Sequence, residues 1–410
     1  MCLRRVLLRI PAQGDDLMAR RPAPERLFTR RFIALGVAEL AYFTAFGVAI
    51  FALPLYVTGP VAGDEVGAGL AFGVFAVSAL VLRPFAGRLA DVYGRLPLLL
   101  GGALLAAVSL SLTALADDLV SVVALRLLAG VAEAAFFVAG FAALADLAPP
   151  GRLGEALSYN SLGLYLGIAL GPLLGEFLVG KLGYGRAWLG AAALAVLAAA
   201  LTPAIGETRE QKAPDAPPDL SPRRIIHRPA IPISIGFVAA LAAMGGFLAF
   251  ASLHAARLGL GQASVALFVY GGVVVVCRIA FARVPDRLPS LPLASAALGA
   301  IGVGIGLVAA WPSTTGLLIG VAVLAVGVSF STPAFFSAIF STATPSQRGA
   351  ASGTASAAID LGLGIGPIGL GVLAGAFGIP WAFAAAAFIA FAGAIWTLLL
   401  SRNARVLQAR

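Results

Sequence analysis

The sequence predicts an all-α integral membrane protein, with twelve transmembrane helices in two six-helix, pseudo-symmetric bundles. Three observations carry that expectation. Of 410 residues, 60% are hydrophobic and 11% are charged, whereas soluble domains carry about a quarter charged residues. Apolar runs of roughly twenty residues, enough to cross about 30 Å of hydrocarbon, follow one another almost without pause. The second half also repeats the first at a fixed spacing. These continuous Ala, Leu, Val and Gly runs lack the short alternating segments of a transmembrane barrel, so the spans are read as helices.

Residues 1–31 are Arg- and Pro-rich and lack a signal peptide's apolar core and cleavage site. They read as a cytoplasmic tail, with Met18 an alternative start. Six spans follow as a first bundle over 32–205. The first, 32–57, ends before Asp64 and Glu65, and the second, 66–84, runs into a basic segment. The third, 96–115, stops before Asp117 and Asp118. The others are 120–145, 155–179 and, after Lys181, 184–205. The one long polar interruption, 206–229, holds Glu207, Arg209, Lys212, several prolines, Arg223, Arg224 and Arg228, and reads as a cytoplasmic linker. The second bundle, 230–401, takes spans 7 to 12 at 230–255, 263–282, 290–310, 314–341, 349–376 and 379–400, leaving 402–410 as a cytoplasmic tail.

Charge sets the orientation. With the N-terminus inside, 24 of 28 Lys and Arg lie on cytoplasmic segments or at the cytoplasmic ends of spans; Lys181, Arg186 and Arg257 fall outside, and Arg126 lies deep within a span. The +9 net charge is therefore topological rather than a patch for nucleic acid. Both termini are expected in the cytoplasm, in a bacterial inner membrane. The two cysteines, Cys2 and Cys277, offer neither a disulfide framework nor a metal-ligand cluster, and no cofactor motif is present.

An offset of 195 carries Arg83 onto Arg278, Arg88 onto Arg283, Asp91 onto Asp286 and Pro97 onto Pro292. The same shift carries Gly154 onto Gly349, Gly167 onto Gly362, Gly171 onto Gly366 and Pro172 onto Pro367. Charged residues and prolines are scarce here, so their coincidence carries most of the weight. With six spans per half, both halves enter the membrane from one side and are related by a pseudo-two-fold along its normal. Substrate would bind between them near the midplane, and rocking would alternate access.

Between spans 2 and 3 runs Arg83-Pro84-Phe85-Ala86-Gly87-Arg88-Leu89-Ala90-Asp91-Val92-Tyr93-Gly94-Arg95. Gly87 and Gly94 permit close approach and a tight turn, Asp91 suits a helix N-terminus, and Arg88 and Arg95 can pair with acids. Positive-inside anchoring accounts for any one arginine, but the whole spacing is harder to reach by chance. This stretch resembles the G-x-x-x-D-x-x-G-R loop of the major facilitator superfamily, and the resemblance extends over about residues 30–402. It implies a latch that stabilises the outward-facing state. The second half keeps Arg283 and Asp286 but has Ala282, Pro289 and Ser290 at the other positions, so a weaker latch is expected there.

Span 5 carries Gly163, Gly167, Gly171-Pro172 and Gly175, similar to the superfamily's antiporter signature, which marks exporters. Glu176 stands where that signature closes on a second glycine. Ordinary small-residue packing is the competing account, and span 11 echoes the stripe with Gly362, Gly364, Gly366-Pro367 and Gly369.

Intramembrane ionisable groups are expensive and are functional candidates by default. They are Glu39, Arg126, Glu133 and Asp360, with Glu176 and His254 near the outer ends; His254 reads as interfacial. Arg126 and Glu133, seven apart, share one face of span 4 and can meet directly or through water. An acid facing a dry cavity can trade its proton for a cationic substrate or for Arg126, and Glu133 is preferred to Glu39 for that coupling role. In the family, spans 1, 4, 7 and 10 line the cavity. That implies an aromatic pocket from Tyr42, Phe46, Phe136, Phe137, Met244, Phe247, Phe335 and Phe336, with Asn160 and Tyr165 from span 5. The resemblance implies a monomeric secondary transporter of small amphipathic molecules driven by proton antiport. A proton-coupled or facilitative importer is the alternative. A membrane enzyme lacks motifs to support it, because no G-x-x-x-x-G-K-[ST] loop or His-rich cluster occurs.

Overall fold

The computed structural model describes residues 27–149, 152–209, 226–281, 284–344 and 347–408. The described residues are helical throughout, joined by short turns: α1 (Arg30–Thr58), α2 (Glu65–Tyr93), α3 (Arg95–Thr113), α4 (Leu119–Leu147), α5 (Leu153–Leu182) and α6 (Tyr184–Ile205) form the first half. A 3-10 turn at Arg228–Ala230 leads into α7 (Ile231–Arg257), α8 (Ser264–Ala280), the single turn α9 (Val284–Arg287), α10 (Ser290–Ala310), α11 (Thr314–Ser341), α12 (Arg348–Phe377) and α13 (Ile379–Gln408). Among the described residues eleven helices are long and apolar enough to cross a membrane, and α8, apolar but only 17 residues long, takes the place of the twelfth expected span. The expected all-α architecture is thus present.

Local chemistry sets the helix ends. The side chains of Thr29, Asp64, Asp118 and Ser313 accept from the third-residue N–H of α1, α2, α4 and α11, at 3.2, 2.8, 2.9 and 3.0 Å. Gly183 and Gly378 each join two helices alone, at φ +83° and +91°. They are also related by 195, a ninth match that extends the repeat.

The halves repeat in packing as well as in sequence. In the first, α1 packs on α5 and α6, and α3 lies against α4 and α6. In the second, α7 packs on α12 and α13, and α10 lies against α11 and α13. Between halves, α2 meets α12 and α5 meets α8, which are equivalent pairs under the same two-fold.

The glycine stripe belongs to the within-half packing. A Cβ on Gly167 would sit 2.5 Å from the Phe43 carbonyl carbon of α1, and one on Gly171 would sit 2.6 Å from Gly47 Cα. In α12, Gly362 and Gly366 crowd Leu241 and Ala242 of α7 in the same manner.

Three sequence expectations need correction. The segment Arg83–Tyr93 is not a loop: α2 continues to Tyr93, and Gly94 alone, at φ +104°, joins α2 to α3. A helix with satisfied backbone bonds need not stop at the hydrocarbon edge. Asp91 therefore lies in the last turn of α2 rather than at a helix N-terminus, where it accepts from Arg95 four residues on, at 2.8 Å. Gly87 makes no close approach, since a Cβ there would first meet Val138 at 4.0 Å. The stretch from 402 onward, expected as a tail, carries α13 on to Gln408, past the apolar span that ends at Arg402. Of the second latch, Arg283 and the Asp286 side chain lie outside the described residues, as do Cys2, Met18 and most of the linker.

Candidate functional site

Residues Leu27, Arg228 and Arg402 mark one end of the bundle, here the linker end; the opposite end carries the 59–64 and 258–263 turns. At the far end the halves are in close contact. Gly69 and Gly73 of α2 lie against the backbone of Gly364, Pro367 and Gly371 of α12, so closely that a Cβ on either glycine would overlap it. Glu65 pairs with Arg257, and Ser252 of α7 donates to the Phe51 carbonyl of α1 at 3.1 Å. Glu176 of α5 accepts from the Ala263 and Ser264 N–H groups at 2.8 and 3.2 Å and from the Ser264 hydroxyl at 2.5 Å, capping α8 across the seam. Under the two-fold, the pair Glu176 and Ser264 corresponds to Gly371 and Gly69.

About 15 Å from the linker end of α2, ten residues before Tyr93, Arg83 reaches both halves. Its Nη2 donates to Glu133 Oε1 and Oε2 of α4 at 3.1 and 3.3 Å, and to Asp360 Oδ1 of α12 at 2.9 Å. Its Nε lies 2.5 Å from Asp360 Oδ2, and the guanidinium stacks 4.5 Å above the Phe137 ring. One cation therefore serves two carboxylates from opposite halves. With all three ionised the cluster carries one surplus negative charge, which a proton or a cationic group can neutralise. Arg83, read from sequence as part of the latch, is the centre of this cluster.

Arg126 and Glu133 do not meet. Arg126 Nε donates to the Ala71 carbonyl at 3.3 Å, and its guanidinium lies 5.7 and 4.7 Å from the Phe46 and Phe75 centroids. The seven-residue spacing aligned the two backbones, but Arg83 from α2 reaches Glu133 first. Beside Arg126 is a cavity of about 10 Å³ lined by Tyr42, Phe46, Ala106, Leu110, Ala129 and Ala195, roughly the room one water needs.

Glu39 of α1, buried, accepts from Asn160 Nδ2 of α5 at 2.5 Å. Asn160, expected as a cavity residue, is thus the partner of the second candidate acid. The aromatic candidates divide between the halves instead of lining one pocket. Tyr42 stacks on Phe136 at 4.0 Å, and Phe335 stacks on Phe237 at 5.0 Å. Phe136, Phe247 and Phe335 are fully buried, while Phe46, Phe137, Met244 and Phe336 are partly exposed. His254, in the last turn of α7, is buried edge-on against Phe383.

The latch residues join the start of the linker. Arg95 Nε lies 3.3 Å from Asp146 of α4, and Arg95 Nη1 also donates to the Ala90 carbonyl at 2.7 Å. Glu207 accepts from the Arg95 and Leu96 N–H groups at 2.9 and 3.2 Å, at the N-terminus of α3. Arg209 donates to the Asp91 and Val92 carbonyls, at 2.7 and 2.6 Å, at the C-terminus of α2. Acid on an N-terminus and cation on a C-terminus both suit the helix dipoles. Partial burial raises the Glu207 carboxyl, but backbone N–H donors from Arg95, Arg209, Leu96 and Thr208 outweigh it and hold the group below its ordinary value. Arg88 stays exposed. The linker's role was missed from sequence because it depends on chain return over about 110 residues; the acid-then-base order of Glu207 and Arg209 was its only local signal.

The family model described as Major Facilitator Superfamily matches residues 35–343 and 292–409. An uncharacterised MFS-type transporter of Burkholderia pseudomallei (strain 1106a) is 28% identical over 94% of this chain and 96% of its own. One from Pseudomonas aeruginosa is 29% identical over 93% and 97%. Similar solved structures include the human organic anion transporter TETRAN, with a TM-score of 0.70 and 19% identity over 92% of this chain and all of that one. The nucleoside transporter NupG gives a TM-score of 0.73 and 13% identity over 90% and 99%.

Proposed function

The chain belongs to the major facilitator superfamily, so it is a multi-pass membrane transporter of small molecules and not an enzyme, and from that premise we propose that it exports small amphipathic molecules in exchange for protons. The observation that carries this reading is Arg83 held between Glu133 and Asp360 across the seam. Protonating Asp360 removes the charge that ties α12 to α2, and protonating Glu133 strengthens the remaining pair. A proton therefore changes the contact between halves, which is what coupling requires. Glu133 and Asp360 are assigned as the coupling pair, with Glu39 and Asn160 as a second proton-holding site. The glycine and proline stripe of α5 supports the outward direction through its resemblance to the antiporter signature. We place the protein in a bacterial inner membrane with the linker end in the cytoplasm, on the strength of the Lys and Arg bias.

The test is transport in reconstituted vesicles with an imposed pH gradient, using lipophilic cations, neutral amphipaths, organic anions and zwitterions. Antiport predicts gradient-driven movement that Glu133→Gln or Asp360→Asn uncouples while exchange down the substrate's own gradient survives. Gradient-independent movement in the parent would refute the coupling.

A second reading, an importer of a small metabolite, rests on one observation. The α5 stripe packs on α1 as the α12 stripe packs on α7, a need common to either direction. The likeness to a nucleoside transporter is compatible with it. Uptake along the proton gradient in the same vesicles would favour it.

A further inference from the structure

The two-fold that relates the halves sends Arg83 onto Arg278 and Asp360 onto Tyr165. The two arginine contacts across the seam are therefore equivalent in place and opposite in chemistry. Arg83 holds two carboxylates. Arg278, at the corresponding depth of α8, donates Nη2 to the Tyr165 hydroxyl at 3.2 Å and Nη1 to Ser161 Oγ at 3.4 Å, and stacks 4.6 Å above the Tyr165 ring. Among the described residues no carboxylate pairs with it, and its buried Nε has no acceptor. Tyr270, two turns earlier on α8, is fully buried with an unpaired hydroxyl. Gly271 lies against Ala169 of α5. Since Gly271 and Arg278 are seven apart on α8, and Ser161, Tyr165 and Ala169 are spaced by four on α5, all of them face the α5–α8 seam.

A guanidinium within a span is costly unless a counter-charge meets it, and its planar fork fits a carboxylate or phosphate through two parallel bonds. Arg126 likewise has no carboxylate partner among the described residues, but it is enclosed within the first half by Ala71 and two rings. Arg278 stands at the seam where the halves part. We propose that Arg278, with Tyr165 and Ser161, binds an anionic group of the transported molecule, so that the cargo is an organic anion or a zwitterion. This rests on the transporter reading above but not on its direction or proton coupling.

The test measures binding to the purified full-length protein in phosphatidylcholine nanodiscs by calorimetry. The probes are 1-naphthylacetate, hexyl phosphate and the uncharged 1-naphthylacetamide. Both anions should bind the parent, with the amide at least tenfold weaker. Arg278→Gln should lose that preference, whereas Arg278→Lys should keep part of it, which controls for folding. Equal binding of anion and amide, no binding of either anion, or an Arg278→Gln variant indistinguishable from the parent would each overturn the assignment. Anion binding abolished by added phosphatidylglycerol, with no transport of either anion in vesicles, would assign the site to a lipid headgroup and reject the cargo role. If anions bind and move but no proton gradient drives them, the coupling reading fails and this one stands.

Discussion

Arg83 is the residue on which the most charge depends, because removing it leaves Glu133 and Asp360 facing each other with no cation. Arg83→Gln should therefore destabilise the protein by about 3 kcal/mol, the scale on which a buried pair loses one partner, read as a lower unfolding temperature in detergent. Asp360→Asn should cost less, since Arg83 keeps Glu133 at 3.1 Å. The reverse order would mean that the pair across the seam, and not the guanidinium, holds the cluster. At Gly94, with φ +104° and the Glu207 carboxylate where a Cβ would go, substitution by alanine should cost about 1–2 kcal/mol from backbone strain alone. Gly87→Ala, with open space around it, should be nearly silent in the same assay.

Helices in this protein approach each other as closely as their smallest residues allow. Gly171→Leu must push α5 off Gly47 of α1 and should lower the yield of folded protein, whereas Gly163→Ala, whose nearest contact is 3.4 Å away, should be tolerated. The linker clamp is tested at the same scale. The Glu207 carboxyl is held below its ordinary value, so its contribution is fully present above the unfolded pKa, about 4.3, and is lost as pH falls through the lower folded value. The difference in unfolding temperature between parent and Glu207→Gln should be constant from pH 7 to 5 and shrink below about pH 4. A difference that disappears near neutral pH would contradict the N-terminal capping of α3.

For the whole molecule, the far end is closed by Glu65 with Arg257, Glu176 with Ser264, and the glycines of α2 and α12. If the halves rock about the seam, these contacts must open in every cycle. Cysteines replacing Glu65 and Arg257, in a chain with Cys2 and Cys277 replaced by serine, should stop transport when joined by a short cross-linker and recover it on reduction. Transport that persists through the cross-link would show that the far end does not open.

Composition, run length and the 195 repeat made the helices and their two-fold order readable before any coordinates, because a bilayer demands apolar length and saturated backbone bonds from each segment by itself. Even the Gly183 and Gly378 turns were present in that repeat. Side-chain partners were not readable in this way. Arg126 and Glu133 were aligned by helical spacing, yet Glu133 pairs with Arg83 from another helix and Arg126 with rings and a carbonyl. Asp360, 277 residues from Arg83, reaches it only because α2 packs on α12. Periodicity is a property of one segment, whereas a charge settles on the nearest counter-charge in space, and which group is nearest was decided only when the two halves came together.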